Sequence, residues 1–287
     1  MPFANTSILP MLSEAGIGLR LPHIAEVLAT RPRAGWLEIH PENFLPNPHA
    51  MELLTELSRI YPISVHTVGI SVGSAMGIDR LHLSRIGEFA DRIDPVFISG
   101  HLAWSTRDTE YLNDLLPLPF NKEALELVTT HVKEVQDTLG RPYLVENPSS
   151  YVGFHATTMS EVEFLSELVL RTGCRLLADV SNVVVSAHNM NYDPYRYIDS
   201  LPADAIAELH LGGYTTERNL LIDTHAAAVA DPSWELYKYT LHRIGPRPTL
   251  IEWDNDIPSL SKLIAEAEHA EAISSQAVQP EVHCATR

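Results

Sequence analysis

Six stretches of this 287-residue chain set an imidazole or a carboxylate at or near the end of a short apolar run. They carry His66 in Ile63–Thr67, His101 in Val96–Leu102 and Glu146 in Tyr143–Glu146. Asp179 in Leu176–Val180, His210 in Ile206–Leu211 and Glu252 in Thr249–Trp253 complete the series. Each run reads as a strand, and strand side chains alternate between two faces. Leu144 therefore shares a face with Glu146, Leu177 with Asp179 and Leu250 with Glu252. The leucine fills the interior, and the charged group stands above it. A buried carboxylate is costly unless something pairs with it. Six such groups turned toward one space describe a metal centre, and these six are the candidate catalytic residues. Mixed nitrogen and oxygen donors suit iron, manganese or zinc; the lack of thiolates argues against a closed structural zinc site. Several carboxylates at one site call for more than one ion, because like charges repel. Glu146, central in the series, is the candidate bridge between two.

A further metal position is expected above the first two, from Asn182, Asp223 and His225. Asn182 lies in Asp179-Val-Ser-Asn182, which runs on to His188. Asp223 and His225 lie in Leu221-Ile-Asp-Thr-His225, two residues apart and able to face the same way in an extended segment. Glu38, His40 and Glu42 alternate along Trp36–His40 and the residues after it. They are candidates for orienting the ligands or touching substrate, as is Asp254 beside Glu252. His23, His82, His131 and His242 fall in helical stretches and read as surface or internally bonded residues.

Strands alternating with helices must hold these groups. Gly16–Arg20 and Trp36–His40 precede the six strands above, which gives eight. Helices are expected over 21–30, 51–60, 79–93, 121–139, 160–173, 194–200, 231–243 and 259–272. Their apolar residues recur at three- and four-residue spacing, as in Leu125, Val128, Val132, Val135 and Leu139. Ser160-x-x-Glu163 has capping-box spacing, and Asp231-Pro232 places proline at a first helical position. Eight such units predict an α/β protein, a (β/α)8 TIM barrel, with the site at the carboxyl ends of its strands. An open doubly wound sheet is the alternative, but Gly16-x-Gly18 lacks the third glycine of a phosphate turn. One domain is expected over 1–272, followed by a polar tail over 273–287. The stretch 105–120 is expected to be a loop, and it and the segment 186–197 are candidates for recognising a ligand.

Net charge is −17, and no Lys/Arg-rich run appears, so a nucleic-acid partner is not expected. Cys174 and Cys284 are the only cysteines, which excludes a disulfide framework. Cys174 reads as a buried thiol and Cys284 as part of the tail. No apolar run is long enough to span a membrane, and Met1–Ala15 lacks the pattern of a signal peptide. A cytoplasmic enzyme is the expectation. The donor set leaves other functions open: a divalent-metal isomerase or hydrolase acting on a sugar or phosphodiester, or a metal-dependent peptide-binding protein without catalysis.

Seven stretches in order resemble one family. They are Val65-His66, Gly100-His-Leu-Ala-Trp-Ser105, Tyr111-Leu-Asn-Asp-Leu-Leu-Pro117, Glu146-Asn-Pro-Ser-Ser150, Asp179-Val-x-Asn182, Leu221-Ile-Asp-Thr-His225 and Leu250-Ile-Glu-Trp-Asp254. Spread over about residues 14–272, they are similar to the DUF692 family of multinuclear non-haem iron-dependent oxidative enzymes, of the kind that makes methanobactin. The resemblance implies a barrel of the xylose-isomerase-like kind holding two or three iron ions (Fe2+/Fe3+), with dioxygen as co-substrate. It implies oxidative modification of cysteine residues in a ribosomally synthesised precursor peptide, often with a partner protein that recognises the peptide. By position, His66, His101, Glu146, Asp179, His210 and Glu252 would hold the central pair of irons. Asn182, Asp223 and His225 would hold the third. The chain departs from the family pattern at Gly100, where an acidic residue is expected, at Ser181, where asparagine is, and at Tyr214, where histidine is.

Overall fold

The computed structural model describes residue 12 and residues 14–107 and 110–277. The tail cysteine Cys284 and most of the Met1–Ala15 segment lie outside the described residues. The barrel is an eight-stranded parallel sheet that closes on itself. Its first strands are β1 (Gly16–Gly18), β2 (Leu37–Ile39) and β3 (Ile63–Thr67), joined by α1 (Ile24–Thr30) and α2 (Pro48–Leu57). Then come α3 (Arg80–Ile93) and β4 (Phe97–His101). The stretch expected to be a loop is instead an antiparallel hairpin of β5 (Trp104–Arg107) and β6 (Glu110–Leu116). Its alternating Thr, Tyr and Leu residues suit strands. The chain continues through α4 (Lys122–Leu139), β7 (Leu144–Glu146), α5 (Glu161–Thr172) and β8 (Arg175–Asp179).

Directly after β8 the chain enters α6 (Val180–Met190), a helix the periodicity did not announce. Val180, Val183, Val184 and Val185 are buried around most of its girth, so no polar stripe marks it. The 186–197 segment is therefore the end of α6, a turn and the start of α7 (Pro194–Ser200), rather than an open loop. After β9 (Ile206–Gly212) comes a second hairpin, β10 (Thr215–Glu217) with β11 (Leu220–Ile222), which leads into Asp223 and His225. The last elements are α8 (Asp231–Ile244), β12 (Thr249–Glu252) and α9 (Leu260–Ala277), which continues past the expected end at 272.

Around the barrel the order is β1-β12-β9-β8-β7-β4-β3-β2. Register sets which side chains share a level. His101 pairs with Glu146, and Asp179 pairs with His210. The floor is apolar: Trp36 meets Phe97 edge-on, with ring centroids 6.4 Å apart, and Phe97, Leu144, Leu177 and Ala207 form a separate buried cluster. Outside the sheet, the helices contribute the main core, in which Val128, Val132 and Val135 of α4 are fully buried. The four expected helical histidines behave as expected. His23 bonds Pro258 O, His82 bonds Glu42, His131 bonds Val72 O, and His242 is exposed. Cys174 is buried, and burial pushes its thiol up to about 11.

Candidate metal centre

Three ligand atoms from neighbouring strand ends close a small triangle. His66 Nε2 lies 3.1 Å from His101 Nε2 and 3.3 Å from Glu146 Oε2. His101 Nε2 lies 3.3 Å from the same oxygen. Two donors each about 2.1 Å from one ion, at octahedral or tetrahedral angles, stand roughly 3.0–3.4 Å apart. All three edges fall in that range. Glu146 Oε2 has no hydrogen-bond partner although it is buried. Burial holds His66 well below the ordinary histidine range and His101 down at about 4, so both rings are neutral donors at neutral pH. The other nitrogen of His66, Nδ1, is fixed by Ser99 Oγ at 2.8 Å.

Glu146 also belongs to a second group with Asp179, His210 and Glu252, in which one ligand atom from each lies within 4.8 Å of the others. His210 Nδ1 and Glu252 Oε2 are 3.0 Å apart. Asp179 caps the first turn of α6: one of its oxygens accepts from Asn182 N–H at 2.8 Å. Its second oxygen is buried without a partner. The side chain is thus oriented by the helix through one atom and left free through the other. Burial raises Asp179 to about 6 and Glu146 well above the carboxylate range. Burial works the same way on Glu252, but His225 and His210 outweigh it and hold that group ionised.

Of the residues expected at a third position, Asp223 and His225 come together and Asn182 does not join them. His225 Nε2 is 2.8 Å from Asp223 Oδ1 and 3.9 Å from Asp179 Oδ2. His225 has φ +44°, the left-handed region that a histidine enters at a cost. Its carbonyl accepts from the N–H groups of Asp254 at 2.8 Å and Asn255 at 3.1 Å, which fixes the strained residue. Asn182 faces the neighbouring position instead. Its Nδ2 donates to Glu146 Oε1 at 3.3 Å and to Asn147 O at 3.1 Å, and its Oδ1 accepts from Ser149 Oγ at 2.6 Å. His188 turns away, to Asn219 O.

Around the ligands lie charges of both signs. Arg20, buried after β1, donates to Asp254 Oδ1 and reaches Glu252 Oε1 at 3.4 Å and His40 Nε2 at 3.1 Å. Its guanidinium fills the space between His40, Glu252 and Asp254, a trio that would otherwise have the spacing of metal ligands. Asp254 in turn faces His225 Nδ1 at 3.2 Å. Beneath His210, Glu38 and Glu208 are completely buried. Glu42 does not join them. β2 ends at Ile39, a helical turn over Pro41–Asn43 breaks the alternation, and Glu42 Oε1 accepts from Val68 and Gly69 N–H and from His82. Sequence reasoning passed over Arg20 and Glu208. Glu208 had a signal: it stands two residues before His210 on one strand and so shares its face. Arg20 follows a strand too short to show alternation.

The three departures have structural counterparts. A side chain at Gly100 would place its Cβ 2.0 Å from the hydroxyl of Tyr143 and 2.6 Å from Thr67 Oγ1. Those two groups bond each other at 2.9 Å and occupy the space of an acidic residue there. Ser181 Oγ accepts from Gly212 N–H at 3.1 Å and ties α6 to the end of β9. Tyr214 packs against the core rather than toward the ligands.

The donor set fits divalent or trivalent cations. Imidazoles and carboxylates meet in two groups that share Glu146, and each group contains a buried carboxylate oxygen without a hydrogen-bond partner. A family model described as RiPP precursor modification enzyme MbnB/TglH/ChrH matches residues 14–275. A UPF0276 protein of Vibrio parahaemolyticus is 47% identical over 270 residues, spanning 92% of this chain and 94% of its own. Another, from Chromobacterium violaceum, is 46% identical over 267 residues, spanning 93% and 97%. Among solved structures, a D-tagatose 3-epimerase-like protein superposes with a TM-score of 0.62 at 16% identity, over 93% of this chain and 100% of its own. A xylose isomerase domain protein of Alicyclobacillus acidocaldarius gives 0.59 at 12%, over 92% and 99%. At such identities the likeness is one of fold, a xylose-isomerase-like TIM barrel. With the family match spanning nearly the whole barrel, this chain belongs to the MbnB/TglH/ChrH family of enzymes that modify RiPP precursors.

Proposed function

We propose that the chain is a multinuclear non-haem iron enzyme that uses dioxygen to modify cysteine residues of a ribosomally synthesised precursor peptide. The observation that carries the reading is the pair of donor groups joined at Glu146, with the His66–His101–Glu146 triangle already at ligand spacing. Iron held there would supply thiolate binding and the electrons that dioxygen needs.

The chain's own residues prepare that chemistry. His66 and His101 stay neutral, so their lone pairs face the centre without competition from protons. Glu146 offers one oxygen to the first group, and its other accepts from Asn182. The ligand carboxylates outnumber the nearby fixed cation, Arg20, and so favour a multiply charged occupant. The strand ends open at one mouth of the barrel, where an extended peptide would bring its cysteine. A closed barrel has no free strand edge for that peptide, so recognition falls to the loops, the two hairpins or a partner protein. The third metal position is proposed at Asp223 and His225; Asn182 would join it by turning its amide away from Ser149.

The test uses iron-loaded protein and a cysteine-containing precursor peptide, mixed without oxygen. Admitting dioxygen should change the peptide mass at cysteine, and zinc-loaded protein should leave it unchanged. Turnover of a sugar or phosphodiester without dioxygen, or peptide binding with no change in mass under any loading, would overturn the proposal.

A further inference from the structure

His210 meets different partners through its two nitrogens. Nδ1 faces the metal group, 3.0 Å from Glu252 Oε2. Nε2 faces down the barrel, 3.2 Å from Glu208 Oε1 and 3.4 Å from Glu38 Oε2. Glu38 comes from β2 and Glu208 from β9, and both are fully buried beneath the ligands. Ser64 Oγ donates to Glu38 Oε2 at 3.1 Å. Glu38 Oε1 and Glu208 Oε2 are buried without a donor from any other group, and the two carboxyl groups approach each other as well as His210. Two carboxyl groups at the centre of a barrel are expensive, and packing alone would favour apolar residues there. A neutral imidazole carries hydrogen on one nitrogen and a lone pair on the other. Which nitrogen takes a metal is set by the bond the other one makes.

We infer that Glu38 and Glu208 are positioning residues, a two-carboxylate clamp that keeps the hydrogen on His210 Nε2 and commits the ring to ligate through Nδ1. One acceptor would fix the tautomer. A second, reaching in from a different strand, also fixes the plane of the ring. The inference rests on the metal-centre reading and deepens it: it names the ligating nitrogen and gives two buried carboxylates a role without contact to an ion. The competing arrangement places a cation between Glu38, Glu208 and His210, which have ligand-like spacing themselves. That would put the hydrogen on Nδ1, facing Glu252 Oε2, and make Nε2 the ligating nitrogen.

Full-length protein labelled with nitrogen-15 at histidine and loaded with zinc, which is diamagnetic, separates these cases. Long-range proton–nitrogen correlation spectra, with His210 assigned by comparison with His210→Gln, report the state of each nitrogen. The clamp gives a metal-shifted Nδ1 and a protonated Nε2 in the unsubstituted protein. In Glu38→Gln/Glu208→Gln, each amide can offer a donor to Nε2, and the fixed tautomer should be lost. One zinc equivalent should then bind about 10- to 100-fold more weakly, with the other equivalents unchanged. A metal-shifted Nε2 overturns the clamp while leaving the metal centre standing. So does complete loss of one equivalent in the double variant while the Nδ1 signal persists, because the pair would then be ligands. Failure of the unsubstituted protein to bind zinc, manganese or iron overturns the metal centre and the clamp with it. If the double variant does not fold, the spectrum of the unsubstituted protein still decides.

Discussion

Glu146 stands in both donor groups, so its loss should be felt twice. Glu146→Ala is expected to lower the metal content by more than one equivalent per protomer, whereas His66→Ala should remove only the equivalent bound by the first group. Elemental analysis of both variants after identical reconstitution checks this. Asp179 gives a prediction about pH. Its carboxyl is raised from 3.8 to about 6 in the fold, so the folded protein holds this proton more tightly than the unfolded chain does. Stability from this group is therefore present at low pH and is lost as pH rises from about 4 through about 6. A shift from 3.8 to about 6 corresponds to about 3 kcal/mol against the ionised, metal-free fold. In thermal melts, metal-free protein should lose Tm across that interval relative to Asp179→Asn. Added metal should restore stability at neutral pH, because it binds the ionised form.

At the scale of elements, close approaches of backbone and side chain make the site possible. A Cβ on Gly212 would fall 2.5 Å from the ring of His225. Gly212→Ala should push His225 off the mouth and weaken the proposed third metal position, leaving the His66–His101–Glu146 equivalent intact; metal titration of the variant reads both. Gly100→Ala should destabilise the protein by about 1–3 kcal/mol through overpacking against Tyr143. Tyr143→Phe, which removes the nearest atom, should recover part of that loss in urea unfolding. The six donor residues that the barrel brings together were legible in the sequence because each lies at or near the end of a strand. Glu146 above Leu144 and Glu252 above Leu250 needed no tertiary information. The hairpins, α6 and Arg20 were not legible. β5–β6 and β10–β11 each pair only within themselves, outside the barrel sheet. α6 buries polar Ser181, Asn182 and Ser186 along with its valines and so shows no apolar stripe, and Arg20 gains its meaning from partners more than 230 positions away in the chain. Glu42 misled because alternation was carried past the turn that ends β2.

For the whole molecule, the barrel places side chains from six strands around one space and closes the floor beneath them with Trp36, Phe97 and Leu144. The resulting layers run from apolar floor, through the buried Glu38 and Glu208, to the ligands at the mouth. Such an interior has an electrostatic cost that bound cations would offset, which ties stability to metal loading. No helix among the described residues is long and apolar enough to cross a membrane, and the eight barrel strands close on a packed core. We propose that this core holds a multinuclear iron centre. The most direct test is to purify the protein without oxygen from cells grown on iron-57, count metals per protomer and record Mössbauer spectra. At least two irons per protomer, with the signals of a coupled ferric–ferrous pair, are the result expected from two donor groups joined at Glu146. Stoichiometric zinc or manganese that iron cannot functionally replace, or no bound metal after reconstitution, would contradict it.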